Sequence, residues 1–151
     1  MKKLAIVAVA ILAMSACSKS NNAQTETEVN TAAEAIAATP AGEWTVTAIA
    51  AGGDTVATDA ERTRMIFSAD STFHLSTNCN SIEGMWVAEG DSITVNPMLM
   101  TEMACDDMSA EQAAVAVLPQ IVTYVLTDST LTLAGSDDTT FVTLVKVAEQ
   151  Q

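Results

Sequence analysis

The feature that most constrains the fold is a series of short alternating segments, separated by turn residues, that runs from Trp44 to Lys146. In the first segment, apolar residues at positions 44, 46, 48 and 50 alternate with Thr45 and Thr47. A period of two places successive side chains on opposite faces, so each segment is predicted to be a half-buried β-strand. Turn residues recur about every ten positions, which is typical of an antiparallel meander. We therefore predict a mainly β (α+β) fold, an antiparallel meander forming a barrel-like sheet with one packed α-helix.

The predicted strands are 44–50, 65–68, 72–76, 84–88, 92–96, 124–126, 130–134 and 139–146. One segment departs from this period and is predicted to be the helix. Ser109 and Gln112 have the spacing of a capping box, so Ser109 is the predicted N-cap. Val115, Leu118 and Val122 are then expected on one helical face, and Pro119 is expected to end or kink the helix.

The N-terminal residues have the pattern of an export signal rather than of a folded element. Lys2 and Lys3 precede an apolar stretch, 4–14, which is too short to span a bilayer. The sequence Met14-Ser15-Ala16-Cys17 resembles a bacterial lipobox. That resemblance implies cleavage before Cys17 and lipidation of its thiol, which would anchor the chain to a membrane.

These features divide the chain into three parts. Residues 1–16 are predicted to be a lipoprotein signal peptide, residues 17–39 a lipidated cysteine with a flexible tether, and residues 40–148 the folded domain. The tether is polar and alanine-rich without aromatic residues, so it cannot bury enough surface to fold. Ser18 after the cysteine favours the outer membrane. The predicted location is therefore the cell envelope, with the domain in the periplasm.

The charge of the chain restricts its partners. Its formal net charge is −13, and removal of Lys2 and Lys3 with the signal peptide makes it −15. Such a chain repels phosphate backbones, which excludes nucleic-acid binding. The remaining partner classes are an envelope protein or a small apolar ligand, besides the membrane itself through Cys17.

Two motifs about 25 residues apart carry a family resemblance. They are Asn78-Cys79-Asn80-Ser81-Ile82-Glu83-Gly84-Met85-Trp86 and Thr101-Glu102-Met103-Ala104-Cys105. Together with Trp44 they resemble the META (HslJ-like) domain family, over roughly residues 41 to 147. The motif positions are Trp44, Cys79, Asn80, Gly84, Trp86, Thr101, Met103 and Cys105. The resemblance implies a barrel-like sheet with one helix, an envelope location and a role in stress tolerance. It brings no catalytic residue and no cofactor, so we predict a non-catalytic protein without a cofactor.

Several motif residues have an expected physical role. Gly84 inside a strand indicates a β-bulge or a close backbone approach. Trp44 and Trp86 are expected to anchor the core or its rim. Asn80 is expected to bond local backbone in a loop.

The cysteines leave three alternatives open. In an oxidising compartment Cys79 and Cys105 are predicted to form a disulfide. Two buried free thiols are the second possibility, and a nucleophilic cysteine is the third. A nucleophile would need a base, and His74 is the only histidine in the chain. It lies between Phe73 and Leu75 on a predicted strand, so it is expected to face away from them, towards solvent.

A cluster of sulfur atoms supports an alternative function, binding of Cu(I) or protection against copper stress. Its members are Met98, Met100, Met103, Cys105 and Met108. Thioethers and thiolates are the soft ligands that select Cu(I). A group of acidic residues, Glu102, Asp106, Asp107 and Glu111, lacks the glycine-containing loop of a calcium site and is explained by the start of the helix. A thiol-dependent enzyme remains the third hypothesis for function.

Overall fold

The computed structural model describes residues 39–147, which form nine β-strands, one α-helix and a short 3-10 helix. The strands are β1 Gly42–Ala51, β2 Asp54–Ala57, β3 Arg64–Phe67, β4 Thr72–Ser76, β5 Ser81–Glu89, β6 Ser92–Met100, β7 Ile121–Leu126, β8 Thr130–Gly135 and β9 Phe141–Lys146. Helix α1 spans Ser109–Val117 and the 3-10 helix spans Leu118–Gln120. The predicted signal peptide, Cys17 and nearly all of the tether lie outside the described residues. Neither helix in residues 39–147 is long and apolar enough to cross a membrane.

Eight of the strands described in residues 39–147 form a closed antiparallel barrel. The strands from β3 to β9 follow one another in chain order, and β9 pairs with β1 to close the sheet. One edge of β1 pairs with β3 near its start and with β2 near its end, so β2 extends the sheet beyond the barrel. The mainly β prediction with one helix is confirmed. Strand β2 was not predicted, and β6 continues four residues further than the predicted end at Asn96.

The barrel interior is filled by the apolar residues of the alternating segments. On β4, Phe73 and Leu75 are buried, while His74 between them points outwards. Trp44 and Trp86 are buried as expected. Each indole also satisfies its N–H, since Trp44 Nε1 donates to the Pro40 carbonyl (2.8 Å) and Trp86 Nε1 donates to the Ser68 carbonyl (3.0 Å).

The alternation expected in β1 changes partway along the strand. Trp44 and Val46 point into the core, but the register against β9 shifts between Val46 and Ala48. This irregularity moves the inward position from Ala48 to Ile49, which is buried. The expectation that position 48 faces the core was therefore wrong, because a bulge adds one residue and reverses the faces after it.

Gly84 marks a second bulge, between β5 and β6. Gly84 pairs with Pro97 and Glu83 pairs with Leu99, so Met98 is the extra residue. A Cβ atom on Gly84 would lie 2.0 Å from the carbonyl oxygen of Asn96, a distance that no side chain tolerates. Both roles expected for Gly84, the bulge and the close backbone approach, are confirmed.

Helix α1 packs against β1 and β2 through small residues. Ala110, Ala114, Val117 and, as expected, Leu118 are buried, whereas Val115 is exposed and Val122 is an exposed residue of β7, so the predicted face was right only at Leu118. Small alanine side chains let this face lie close to the sheet, and this packing excludes Val115. Pro119 lies in the 3-10 helix directly after α1, as predicted.

The predicted capping box is also wrong. Met108 occupies the N-cap position and makes no side-chain cap. Ser109 is the first helical residue, so its own N–H needs an acceptor. Asp107 Oδ1 supplies it, accepting from Ser109 N (3.0 Å) and from Ser109 Oγ (2.7 Å). The bond from the backbone N–H of Ser109, with a second from its hydroxyl, lowers the pKa of Asp107 below its ordinary value.

Candidate functional site

The two sequence motifs meet in space at the turn between β4 and β5. The first motif forms this turn, and the second begins the segment 101–108 that leads from β6 to α1. A disulfide joins Cys79 to Cys105, with an S–S distance of 2.11 Å and a Cα–Cα distance of 6.1 Å. Asn78 Nδ2 adds a hydrogen bond to the carbonyl of Asp107 (3.0 Å). The connecting segment is therefore held against the turn at several points.

Asn80 is the centre of this contact, and its side-chain amide is buried. Its Oδ1 accepts hydrogen bonds from Thr101 Oγ1 and Met103 N, both at 2.8 Å. Its Nδ2 donates to the Met103 carbonyl (3.0 Å) and to both carboxylate oxygens of Glu111 (2.8 and 2.9 Å). The expectation that the Asn80 side chain bonds local backbone was wrong, because its backbone partners, the N–H and the carbonyl of Met103, lie 23 residues away in sequence. Its Nδ2 also lies 3.4 Å from Sγ of the neighbouring Cys79.

Glu111, which the sequence analysis assigned only to the acidic start of the helix, is a buried member of this contact. The side chain is only 2% exposed, and Thr77 Oγ1, which donates its shorter bond to the Asn80 carbonyl (2.9 Å), lies 3.5 Å from Oε2. Burial removes the water molecules that would solvate a carboxylate, so hydrogen-bond donors of the protein must replace them. The positive end of the helix dipole at the start of α1 also favours a negative charge there. The sequence did contain a signal for this burial, because Glu111 is three residues before Ala114 and seven before Leu118 and therefore shares their helical face. We call Thr77, Asn80, Thr101 and Glu111 the polar clasp.

Beside the polar clasp lies an exposed apolar surface. We call it the methionine surface, and its residues are Met85, Met98, Leu99, Met100, Met108 and Val115. Met98 is 69% exposed, Leu99 is 68% exposed and Met100 is 44% exposed. The bulge at Gly84 explains why neighbouring residues of one strand are all exposed, since the extra residue interrupts the alternation of faces.

The methionine surface contains adjoining depressions. One, of about 380 Å³, is lined by Met85, Met98 and Leu99 together with residues of β4. A second, of about 260 Å³, lies between Met100, Met108 and Val115. A third is lined by residues 97–100 and by Val115, so it connects the other two. Together they form one apolar groove along the end of β6 and the outer face of α1.

The structure separates the residues of the predicted copper cluster. Met98, Met100 and Met108 line the groove, whereas Met103 is 61% exposed and lines none of its depressions. Cys105 is bonded to Cys79 and offers no thiolate. The sulfur ligands available at the groove are therefore thioethers alone.

Within the described residues, both cysteines are bonded, so neither presents a thiol to His74. The imidazole Nδ1 of His74 instead lies 3.1 Å from Oε1 of Glu83 on the outer face of the sheet. In residues 39–147 no three His, Cys, Asp or Glu side chains are placed to hold one metal ion.

The charges around the groove are of one sign. Glu83 lines the first of its depressions, and Glu102 and Asp106 belong to the segment that joins Met100 to Met108. No lysine or arginine occurs between positions 65 and 145 of the sequence. The groove is therefore apolar at its centre and acidic at its margin.

A further depression of about 360 Å³ is lined by Trp86, Val87 and Tyr124, with Thr39 and Ala41 at its border. The polar ends of its aromatic residues are already satisfied, since Tyr124 Oη donates to the carbonyl of Gly90 (2.9 Å). This depression lacks the cluster of exposed apolar side chains that distinguishes the groove.

The comparisons with known proteins agree with the fold. The family model of the META domain matches residues 34–148. A DUF4847 family protein from Bacteroides vulgatus is similar in structure, with a TM-score of 0.54 and 18% identity, over 73% of this chain and 95% of that one. A protein from Burkholderia xenovorans is similar with a TM-score of 0.54 and 15% identity, over 72% of this chain and 83% of that one. No curated protein matches the sequence.

Proposed function

Since this chain belongs to the META domain family, we propose that it is a non-catalytic envelope lipoprotein whose domain binds an apolar partner at the methionine surface. Lipid on Cys17 would anchor it, with the domain in the periplasm beside the outer membrane. Its role would be stress tolerance through binding rather than through turnover. Replacing Cys17 by serine should abolish incorporation of a labelled fatty acid into the protein, and unchanged incorporation would contradict the anchor.

The observation that carries the binding proposal is the exposure of Met98 and Leu99 in a strongly acidic protein. Apolar side chains of this size, grouped around connected depressions, mark sites of interaction more often than solvated surface. Methionine has an unbranched and polarisable side chain, so it adapts to partners of different shape.

The polar clasp is a second observation that supports a binding role. The amide of Asn80 is fully occupied by bonds to Thr101, Met103 and Glu111. Groups consumed in internal hydrogen bonds hold a structure together and are not free to act on a substrate. The motif residues would therefore fix the segment 101–108, and with it the position of Met108 at the groove.

Methyl NMR of methionine tests this function directly. The protein would carry ¹³C-methyl methionine and be titrated with Nile red, a neutral apolar probe. Signals of Met98 and Met100 should shift in a saturable way, while the signal of Met65, which is fully buried, should stay unchanged. Absence of any shift at Met98 and Met100, or equal shifts at every methionine, would contradict the proposed site.

Exposure of the thioethers also supports the second candidate function, binding of Cu(I). Met98, Met100 and Met108 are grouped at the groove, and thioethers are soft ligands. The test is a Cu(I) titration against a competing chelator, with Met98→Leu and Met100→Leu variants that keep the apolar volume. Loss of Cu(I) affinity in both variants would favour copper, whereas unchanged affinity would eliminate it.

A further inference from the structure

Resting on the proposed function, we propose that the partner at the methionine surface is a cationic amphipathic helix, a peptide or protein segment with leucine-like residues on one face and lysine or arginine on the other. The apolar face would lie in the groove between β6 and α1. The basic face would meet the acidic margin. The inference names the class of partner and the mode of its binding.

Charge complementarity is the first argument. Glu83 is exposed beside Leu99, its partner in the register of β5 and β6, and both line the same depression. Glu102 and Asp106 are exposed in the segment that leads from Met100 to Met108. The groove is therefore bordered by a carboxylate on the β5 side, and the segment that joins two of its residues carries two more exposed carboxylates.

No strong cation in the described residues competes for these carboxylates. Arg62 lies 3.5 Å from Asp59, and Arg64 lies 3.2 Å from Glu43, both on the β1–β3 side of the barrel. Lys146 ends β9. His74, beside Glu83, is the one basic side chain that lines the groove, so the cationic groups that match this margin must come from a partner.

The backbone of β6 favours a partner that binds as a helix over one that binds as an added strand. Only Ser92 of β6 pairs with β7, at Thr123, so within the described residues the remainder of that edge has no paired strand, and the 3-10 helix contacts β6. Addition of a strand would need regular donors and acceptors along this edge. Pro97 has no N–H and Met98 is the bulge residue, and both features prevent regular pairing. Recognition must therefore use the side chains of the groove, as an amphipathic helix does.

A second copy of this chain does not fit the groove. Each chain has a net charge of −13, so two acidic margins would repel each other at close approach. The matching occupant has the opposite charge. An amphipathic cation combines that charge with the apolar face that the methionines require.

The test uses the mature protein, purified after processing in the cell. The probe is a fluorescently labelled helical peptide of about 18 residues made of leucine and lysine. Fluorescence anisotropy would measure its dissociation constant, with a Leu/Glu peptide of the same pattern as the charge control. We expect saturable binding of the lysine peptide, weakening as salt is added, and no binding of the glutamate peptide.

A matched pair of variants locates the binding. The double variant Met98→Gln/Leu99→Gln should weaken binding of the lysine peptide by about tenfold or more. Val125→Gln changes a residue of β7 that is equally exposed, at 65%, and lies outside the groove, so it should have no effect. Neither substitution changes the net charge.

Two results would overturn the inference. If the lysine peptide does not bind, the partner class is wrong. If it binds all variants equally, the attraction is charge alone and the groove is not the site. In both cases Nile red binding at Met98 and Met100 decides the proposed function separately, since a neutral probe that still binds there leaves an apolar binding site with a different partner.

Discussion

Replacing Asn80 by alanine tests the polar clasp, because this one side chain joins the β4–β5 turn, the segment after β6 and helix α1. The substitution removes the acceptor of Thr101 Oγ1 and Met103 N and the donor to Glu111. Glu111, which is 2% exposed, then has only the Thr77 hydroxyl nearby, at 3.5 Å, and the single proton of that hydroxyl has a shorter bond to the backbone carbonyl of residue 80 (2.9 Å).

The expected loss follows from the groups left without partners. A neutral buried group without its hydrogen bond costs about 1–3 kcal/mol, and a charged one costs more. Since Asn80→Ala leaves several such groups without a partner, among them the Glu111 carboxylate, their costs together come to about 3–5 kcal/mol. We expect Asn80→Ala to lower the free energy of unfolding by about that amount, a large part of the roughly 5–15 kcal/mol that stabilises a domain.

Urea unfolding of the oxidised protein, followed by tryptophan fluorescence, gives this free energy. Asn78→Ala is the matched control, since it removes the same side chain two residues away. Asn78 makes a single exposed hydrogen bond, to the carbonyl of Asp107, so its loss should cost no more than about 1 kcal/mol.

A double-mutant cycle with Glu111→Leu isolates the contact between Asn80 and Glu111. Removing both partners should destabilise the protein by less than the sum of the single changes, by at least about 1 kcal/mol. The reasoning is refuted if Asn80→Ala costs no more than Asn78→Ala, or if the two changes at the clasp are additive.

Three further predictions concern other parts of the domain. The intact mass of the protein, alkylated without reduction, should show no label on Cys79 or Cys105 and the two-proton deficit of a disulfide. Reduction of the disulfide should lower the unfolding free energy by about 3–4 kcal/mol. Labelling of both thiols would contradict the bond. Gly84→Ala should destabilise the domain by about 3 kcal/mol in thermal unfolding, since its Cβ would meet the Asn96 carbonyl at 2.0 Å, and a wild-type melting temperature would refute this. Because the backbone N–H and then the hydroxyl of Ser109 lower the pKa of Asp107, its stabilising effect should be full above the ordinary aspartate pKa and lost as the pH falls through the lowered value. Carboxyl NMR checks this, and titration of Asp107 at or above the ordinary value would contradict it.

The sequence alone predicted features that depend on neighbouring residues. Alternation with period two gave most of the strands, because a pleated strand turns successive side chains to opposite faces whatever its partners are. Pro119 fixed the end of the helix, since proline cannot continue the hydrogen bonds of a helix interior. Gly84 indicated its bulge because glycine weakens the interior of a strand and is typical there of a bulge or a close backbone approach.

Local patterns failed where an extra residue or a packing contact reversed a face. Ala48 and Val115 each match the expected period, yet the core takes Ile49 and Ala114 instead. A bulge in β1 shifts the alternation, and close packing of α1 on the sheet selects its small residues. Neither event leaves a distinct signal in the residues concerned.

Only the tertiary structure decided the candidate site. Asn80 and Glu111 are 31 residues apart and meet because the barrel brings the β4–β5 turn to the start of α1. Met98 and Leu99 would be assigned to a core by their hydrophobicity, but Met98 is the extra residue opposite Gly84, and the bulge turns Leu99 outwards. Sequence patterns record which side chains alternate, whereas burial and exposure depend on which distant segments arrive beside them.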